Sequence, residues 1–253
     1  MNNPLTMKLE QFAGFSPDER GILDDLVSKR RQSYAPGAVV IPEGERVDEI
    51  HLVMSGLAAR SKTLPDGSRQ IMAYLIPGDL CDVEVFVLEA MDHEILAVSE
   101  TVCALIPARK MEAMLTDFSK LTKALWWSTM TDSAVLRERI IDHGRRDARE
   151  RMAHLLYEML IRFRMIGQAG DNSYPLPVTQ DQLADATGMT PMHVNRTLKQ
   201  LRHDGIVEFR QGRVTIPDPA QLKKVARFEA DYLHLMRTDK GSSDVSARAG
   251  DLV

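Results

Sequence analysis

Cysteine is scarce in this sequence, with Cys81 and Cys103 the only two among 253 residues. Their separation does not match the paired spacing of a zinc site. Two thiols are also too few for the four thiolates that usually hold an iron–sulfur cluster within one subunit. We therefore expect neither a cluster of the four-cysteine type nor a metal site with a recognisable signature.

The sequence also lacks long apolar runs and the motifs of common enzymes. No apolar segment is long enough to span a membrane or to form a secretory signal. A nucleophile elbow, a Walker loop and a dinucleotide-binding fingerprint are all missing. We expect a cytoplasmic protein that is not an enzyme and has no membrane partner.

A strong net charge is missing too, since the formal charge is only −4. The charges are nevertheless unevenly distributed along the chain. Residues 1–136 hold 13 basic and 20 acidic side chains, whereas residues 137–237 hold 17 basic and 13 acidic ones. The C-terminal part is therefore the part that suits a polyanion such as a nucleic acid.

Within that basic part, residues 179–201 have the pattern of two helices joined by a tight turn. Thr179 and Gln182 have the spacing of a capping box, which favours a helix start. Gly188 suits the left-handed conformation at the end of that helix. Pro191 fits the first position of a second helix, where no backbone N–H is needed. This arrangement predicts a helix-turn-helix.

The second helix has one apolar face and one polar face. Val194, Leu198 and Leu201 fall on the apolar face at helical spacing. The opposite face and its flanks carry long cationic and hydrogen-bonding side chains, which suit a helix that reads base edges in the major groove. Two strand-like runs around Gln211-Gly212 follow, so the segment predicts a winged helix-turn-helix. We expect DNA contacts from Thr179, Thr190, Met192, His193, Asn195, Arg196, Lys199, Arg202 and Arg213.

The N-terminal half has a different pattern. Residues 1–35 predict a helical lead-in, with a helix start at Ser16. Between residues 34 and 107, short β-prone runs alternate with Gly- and Pro-containing turns, which is typical of a small antiparallel barrel or jelly roll. The predicted strands cover residues 39–41, 50–54, 70–76 and 102–106.

Helical patterns then connect the two halves. A short helix at 109–115 precedes a long one at 121–141, and Gly144 marks a hinge before a helix at 147–166. Residues 167–177 predict a loop, and residues 218–236 predict a last helix. The fold class is therefore α+β, with a β barrel, a long helix and a winged helix-turn-helix.

Several turns in the first half resemble those of a known family. They are Pro36-Gly37, Glu43-Gly44, the run Ile50-His51-Leu52-Val53-Met54-Ser55-Gly56 and Pro77-Gly78-Asp79-Leu80. In this order ahead of a winged helix, they resemble the Crp/Fnr family of bacterial transcription regulators over residues 20–235. The resemblance implies a sensor barrel that controls a DNA-binding domain. It implies double-stranded DNA, a second copy of the chain and RNA polymerase as partners.

The resemblance also assigns roles to the parts. We expect a sensor domain at 1–120, a dimerisation helix at 121–143 and a DNA-binding domain at 144–237. The small, polar and unpatterned residues at the end of the sequence predict a flexible tail at 238–253. Arg196 matches the family arginine that contacts a guanine. The expected dimer interface consists of Leu121, Leu125, Met130, Val135, Leu136 and Ile140. A helix packed entirely within its own subunit remains the alternative.

The sensor departs from the pattern of family members that bind cyclic AMP. Those members have Gly-Glu-Leu-Gly-Leu after Pro-Gly-Asp, and an Arg-Ser-Ala or Arg-Thr-Ala clamp further along. Here residues 82–86 and His93-Glu94-Ile95 stand at those places, so cyclic AMP is not the expected ligand. The candidate pocket residues are Cys81, Asp82, Glu84, His93 and Glu94.

Three readings of the sensor stay open. It could hold a metal or a redox-sensitive thiol, bind an unidentified small ligand, or bind nothing. The cofactor is therefore unknown. For the whole chain, a ligand-binding module that acts through protein partners is the alternative to a DNA-binding regulator, and the basic face of the second helix favours the regulator.

Overall fold

The computed structural model describes residues 3–83, 88–170 and 172–235. Two short helices, α1 (Pro4–Leu9) and α2 (Pro17–Ser28), precede the barrel. Ser16 and Glu19 form a capping box at the start of α2, so the predicted helix start is confirmed. The predicted tail at 238–253 and the candidate residue Glu84 lie outside the described residues.

Seven strands within the described residues form the N-terminal barrel. They lie in two antiparallel sheets, ordered β1-β7-β3 and β2-β6-β4-β5. Their bounds are β1 (Arg31–Tyr34), β2 (Val39–Ile41), β3 (Glu49–Ser55), β4 (Ala58–Thr63), β5 (Arg69–Leu75), β6 (Glu94–Ala97) and β7 (Thr101–Pro107).

The four predicted strands are confirmed, and β1, β4 and β6 are additional. β1 lies in the segment predicted as a helical lead-in, so that prediction is wrong for residues 31–34. Most side chains of β1 are exposed, and its sequence therefore carries little alternation between apolar and polar residues. The strand forms because its backbone pairs with β7, and that partner is distant in sequence.

Three helices follow the barrel: α3 (Ala108–Asp117), α4 (Ser119–Arg145) and α5 (Ala148–Met165). The predicted hinge at Gly144 is wrong, because α4 continues through this residue and the chain turns at Arg146 and Asp147. The Asp147 carboxylate accepts a 2.8 Å hydrogen bond from the Glu150 backbone N–H, and the Glu150 carboxylate accepts one of 3.2 Å from Asp147. This capping box fixes where α5 begins.

The C-terminal part contains the two predicted helices of the helix-turn-helix and a three-stranded sheet, ordered β8-β10-β9. The loop predicted at 167–177 contains a strand. The last helix ends at Ala226, ten residues before its predicted end, because the next residue, Arg227, adopts a left-handed φ of 46°. A short 3-10 helix (Ala230–Leu233) follows. The bounds are β8 (Ser173–Pro175), α6 (Gln180–Thr187), α7 (Pro191–His203), β9 (Glu208–Arg210), β10 (Arg213–Thr215) and α8 (Pro219–Ala226). The predicted α+β class is confirmed.

The barrel and the C-terminal part share one hydrophobic core within the protomer. Leu57, Ile71 and Tyr74 of the barrel belong to the same buried cluster as Leu156 of α5 and Leu183 of α6. Among the described residues, every helix lacks the length or the apolar character needed to cross a bilayer. The winged helix is therefore packed against the barrel by apolar contact, and not joined to it by a linker alone.

A buried carboxylate, Asp79, lies where α1, the barrel and α5 meet. It accepts a hydrogen bond from the Ile76 backbone N–H, and it pairs with the Lys8 ammonium and the Arg162 guanidinium, each at 2.7 Å. Burial by itself would raise the pKa of Asp79, but the two adjacent cations hold it below its usual range. The adjacent Gly78 has a φ of 97°, and an added Cβ would stand 2.6 Å from the Pro4 carbonyl oxygen. The close docking of α1 therefore requires glycine.

We predict that Asp79→Asn destabilises the protein by about 3–5 kcal/mol, because it removes the nearest charged partner of two buried cations. The matched control is Glu89→Gln in the exposed pair Arg46–Glu89, whose side chains are 74% and 87% exposed. That change should cost about 0–1 kcal/mol. Urea unfolding of both variants at neutral pH measures the two values.

The pH dependence of the same measurement has a defined sign. The pKa of Asp79 is lowered in the folded state, so its stabilisation is fully present above the unfolded pKa of about 4. It is lost as the pH falls through the folded pKa. The difference in the free energy of unfolding between Asp79→Asn and the unmodified protein should therefore decrease below about pH 4. A gap that is small at pH 7, or that widens on acidification, would contradict the role of Asp79.

Candidate nucleic-acid interface

The first helix of the helix-turn-helix is fixed at both ends by local hydrogen bonds. The Thr179 hydroxyl accepts from the Gln182 backbone N–H at 3.1 Å, and the Gln182 side chain accepts from the Thr179 N–H at 2.8 Å. Gly188 ends α6 with a left-handed φ of 61°. The predicted capping box and glycine cap are both confirmed, and they set the angle at which α7 leaves the turn.

The second helix, α7, has the two faces that its period predicts. Val194, Leu198 and Leu201 are buried against the rest of the C-terminal part. Thr190 caps the helix, because its hydroxyl accepts from the His193 N–H at 3.3 Å, and Pro191 stands in the first turn. The helix is therefore held by its apolar face, and the opposite face remains at the surface.

The outward face of α7 is open to a ligand. Met192 is 81% exposed, and Arg196 and Lys199 are exposed one and two turns further along. Within the described ranges, neither cation has a hydrogen-bond or ion-pair partner. His193 and Asn195 lie half-buried at the flanks. The face therefore presents two unpaired cations beside hydrogen-bonding groups, which suits phosphates and base edges.

One contact of this face was not predicted from the sequence. The Asn195 side-chain Nδ2 donates a 3.1 Å hydrogen bond to Oε1 of Gln180, the first residue of α6. Gln180 was not among the expected DNA contacts. Its contact with Asn195 depends on how α6 and α7 pack together, so the helical periodicity of either segment does not predict it.

The wing lies beside the last turn of α7. Gln211 and Gly212, with φ of 50° and 69°, form the turn between β9 and β10. The Arg202 guanidinium donates to the Phe209 carbonyl at 3.2 Å, and Arg213 donates to the Ser173 hydroxyl at 3.3 Å. Arg202 therefore helps to hold the wing against α7, whereas Arg213 joins β10 to β8, and both also carry positive charge at the surface.

The barrel contacts α6 directly through β5. The Arg69 guanidinium pairs with the Asp185 carboxylate at 2.8 Å, and the Gln70 side chain donates to the Asp185 carbonyl at 2.7 Å. The Tyr74 hydroxyl donates to the Gln182 carbonyl at 3.0 Å. These side chains connect the N-terminal barrel to the helix-turn-helix, and no sequence motif marks them.

The four candidate pocket residues that the structure describes, Cys81, Asp82, His93 and Glu94, have different surroundings. Asp82 is buried against His51, accepting from its backbone N–H and contacting its ring Nδ1, both at 2.8 Å. Glu94 accepts from the Ser61 hydroxyl at 2.8 Å. His93 contacts Asp92 at 2.6 Å and lines a separate cavity of about 280 Å³ that neither Asp82 nor Glu94 reaches.

The buried thiols do not support a reactive or metal-binding site. Cys81 and Cys103 are both free and fully buried. A hydrogen bond with Cys103, together with burial, raises the pKa of the Cys81 thiol well above its usual value, which disfavours the thiolate needed for redox chemistry or metal binding. In the part of the chain that the structure describes, no three potential metal ligands cluster.

An arginine lies in the interior between the barrel and α4. Arg60 on β4 is buried, and its guanidinium donates to the Leu80 carbonyl at 2.8 Å and to the Asp132 carboxylate of α4 at 3.3 Å. The barrel is therefore linked to the long helix by an ion pair at this position.

The exposed face of α4 differs from the one expected. Three of the expected interface residues are buried within the protomer: Leu121, Leu125 and Val135, at 0%, 3% and 5% exposure. The first two pack with residues of α1, α2 and α3, and Val135 packs with residues of α5. Leu136 is half-buried. The large apolar side chains exposed along α4 are Trp126, Met130, Ile140 and Ile141, at 74%, 53%, 73% and 44%. Of the six residues expected at the dimer interface, Met130 and Ile140 belong to this exposed set.

Comparison with known proteins covers both parts of the chain. The family model for the Crp-like helix-turn-helix domain matches residues 150–225, and that for the cyclic nucleotide-binding domain matches residues 31–118. Together they span the barrel, α5 and the winged helix.

Similar proteins are bacterial regulators. The transcriptional activator protein FnrL of Cereibacter sphaeroides is 27% identical over 207 residues, covering 80% of this chain and 83% of the relative. The nitrogen fixation regulation protein FixK of Bradyrhizobium diazoefficiens is 26% identical over 197 residues, covering 78% and 82%. The structure of FixK2 from Bradyrhizobium japonicum is 25% identical with a TM-score of 0.70, covering 78% of this chain and 96% of that one.

Proposed function

Because the chain belongs to the Crp/Fnr family of DNA-binding transcription regulators, we propose that it binds a palindromic operator as a homodimer, with α7 of each copy in the major groove. The outward face of α7 carries this proposal, since Arg196 and Lys199 are exposed there beside Asn195 and neither side chain is paired with another described residue. One recognition helix reads too few base pairs for useful specificity, whereas two helices related by a two-fold axis read a palindrome.

The exposed stripe on α4 supports the dimer. Trp126, Met130, Ser133, Arg137 and Ile140 follow one another at alternating steps of four and three residues, which is the spacing of a coiled-coil seam. A run of 27 residues makes α4 about 40 Å long. Large apolar side chains that stay exposed along one face of such a helix mark a protein interface. We therefore place the two-fold axis beside Trp126 and Ile140 in the dimer.

The barrel interior supports a sensor that does not take cyclic AMP. A buried cyclic phosphate needs a cation and oriented donors, because an unpaired buried charge costs several kcal/mol. Glu94 puts a carboxylate where the family has a clamp hydroxyl, and that carboxylate accepts from Ser61. The guanidinium of Arg60 already donates to the Leu80 carbonyl and to Asp132.

The contacts between β5 and α6 supply a route by which the barrel controls DNA binding. A shift of β5 would be transmitted to α6 through the Arg69–Asp185 pair and the Tyr74 hydroxyl, because both contact α6 directly. The operator-bound dimer then acts on transcription by contact with RNA polymerase in the cytoplasm. The contacts between β5 and α6 join the barrel directly to the helix-turn-helix.

For the reading face, we predict that Arg196→Ala removes about 1–3 kcal/mol of discrimination at one G·C pair in each half-site, because the guanidinium fork pairs with O6 and N7 of guanine together. Lys199→Ala is the matched control, since Lys199 is also an exposed cation on the same face. It should weaken binding to all sequences alike and lower the salt slope by about 1. Fluorescence anisotropy with an operator and its single-pair variants, at several salt concentrations, separates the two. Equal loss of discrimination from both changes would contradict the assignment.

For the dimer, we predict that the double substitution Trp126→Glu/Ile140→Glu gives folded monomers with much weaker operator binding, because it places like charges across the seam. Leu125 is unsuitable for this test, since its side chain is 3% exposed in the protomer and a charge there would damage the core. Val39→Glu, at a barrel position that is 47% exposed, is the control and should leave the dimer intact. Sedimentation velocity measures the assembly state, and an unchanged dimer in the double variant would rule out this face.

A further inference from the structure

Asn195 occupies a boundary position on α7. Its neighbour Val194 is fully buried and its neighbour Arg196 is exposed, so Asn195 lies half-buried at the edge of the outward face. The first residue of α6, Gln180, approaches from the side, and Nδ2 of Asn195 donates to Oε1 of Gln180 at 3.1 Å. This hydrogen bond joins a side-chain amide of α6 to a side-chain amide of α7.

An amide side chain needs such a partner if it is to read a base. Its oxygen only accepts and its nitrogen only donates, yet the two ends have nearly the same shape. The terminal torsion of asparagine is soft, so an unrestrained amide presents either end outward. The bond to Gln180 restrains this freedom, because the end of Asn195 that faces the Gln180 oxygen is the nitrogen.

The backbone of Gln180 is firmly placed. It follows the Thr179 cap directly, so its backbone is fixed by the capping box. The helix behind it is packed through Leu183 and Ala184, which are buried, and the barrel holds it through the Tyr74 hydroxyl. Its side chain starts from a fixed backbone, which keeps the Gln180 amide within reach of Asn195.

With Nδ2 oriented in this way, Asn195 keeps its second N–H and its Oδ1 for a ligand. Adenine presents an acceptor, N7, next to a donor, the N6 amino group, at the major-groove edge, and a carboxamide pairs with both at once. We propose that Gln180 is a positioning residue that fixes the Asn195 amide so that Asn195 reads an adenine in each operator half-site. This inference rests on the proposed function, because it requires α7 to lie in the major groove.

The test is operator binding by the full-length dimer carrying Gln180→Met, Asn195→Ala or both, against operators in which each base pair is changed in turn. Gln180→Met keeps the size of the side chain and removes its acceptor. Both single variants should lose roughly fivefold to a hundredfold of preference for adenine at the same position. The double variant should lose no more than either single one, because the two residues act as one unit.

Gln180→Glu is the conservative control. A carboxylate still accepts from Asn195, so the preference for adenine should be retained. Its charge lies near the phosphates, so affinity for all sequences should fall, most of all at low salt. A merely structural role for Gln180 would instead lower the melting temperature or weaken all sequences equally, with the base preference unchanged in every variant.

Two results would overturn the inference. One is a full adenine preference in Gln180→Met, and the other is a loss in the single variants that adds up in the double variant. Failure of the proposed function gives a different result, since the unmodified protein would then show no sequence preference, and Arg196→Ala would change none. A guanine preference that Arg196→Ala removes, beside an adenine preference that Gln180→Met leaves intact, contradicts the positioning role alone.

Discussion

The carboxylate of Asp79 joins three parts of the protomer at one buried point. It holds Lys8 of α1 and Arg162 of α5 on the barrel turn that contains it. From Arg162 the alternation of charge continues through Glu158 to Arg139, which pairs with Glu158 and Asp142 at 2.7 Å each. Buried charges are tolerable only when each has its partners. This network therefore fixes how the barrel, α4 and α5 are arranged.

In the same arrangement, the barrel and the helix-turn-helix are connected by direct contacts. The barrel touches α6 through Arg69 and Tyr74, α6 carries Gln180, and Gln180 holds the amide of Asn195 on the outward face of α7. Each step is a direct contact between packed elements. The barrel is therefore connected to the outward face of α7 through consecutive contacts within the protomer.

Local patterns predicted the local structure well. The capping boxes at Ser16 and Thr179, the glycine cap at Gly188 and the apolar stripe of α7 depend on neighbours within a few residues, so the sequence alone carries the information. The fold class followed from these elements in order. β1 was missed because its residues are exposed and its pairing partner, β7, is far away in sequence.

The site was predictable only in part, for the same physical reason. The outward face of α7 follows from helical periodicity. The apolar residues of α4, however, divide into a buried and an exposed face according to what packs against the helix, so Leu125 is covered and Trp126 is not. The Gln180–Asn195 bond and the separate surroundings of Asp82 and His93 likewise depend on tertiary packing, so the spacing of residues in the sequence does not predict them.

The central claim is that two copies of α7, related by a two-fold axis, read DNA. Selection of binding sites from random duplex DNA by the full-length protein tests it most directly. The account predicts an enriched palindrome whose half-site centres lie about one helical turn, roughly 10 base pairs, apart. Enriched sites without two-fold symmetry, or no enrichment at moderate salt, would contradict it.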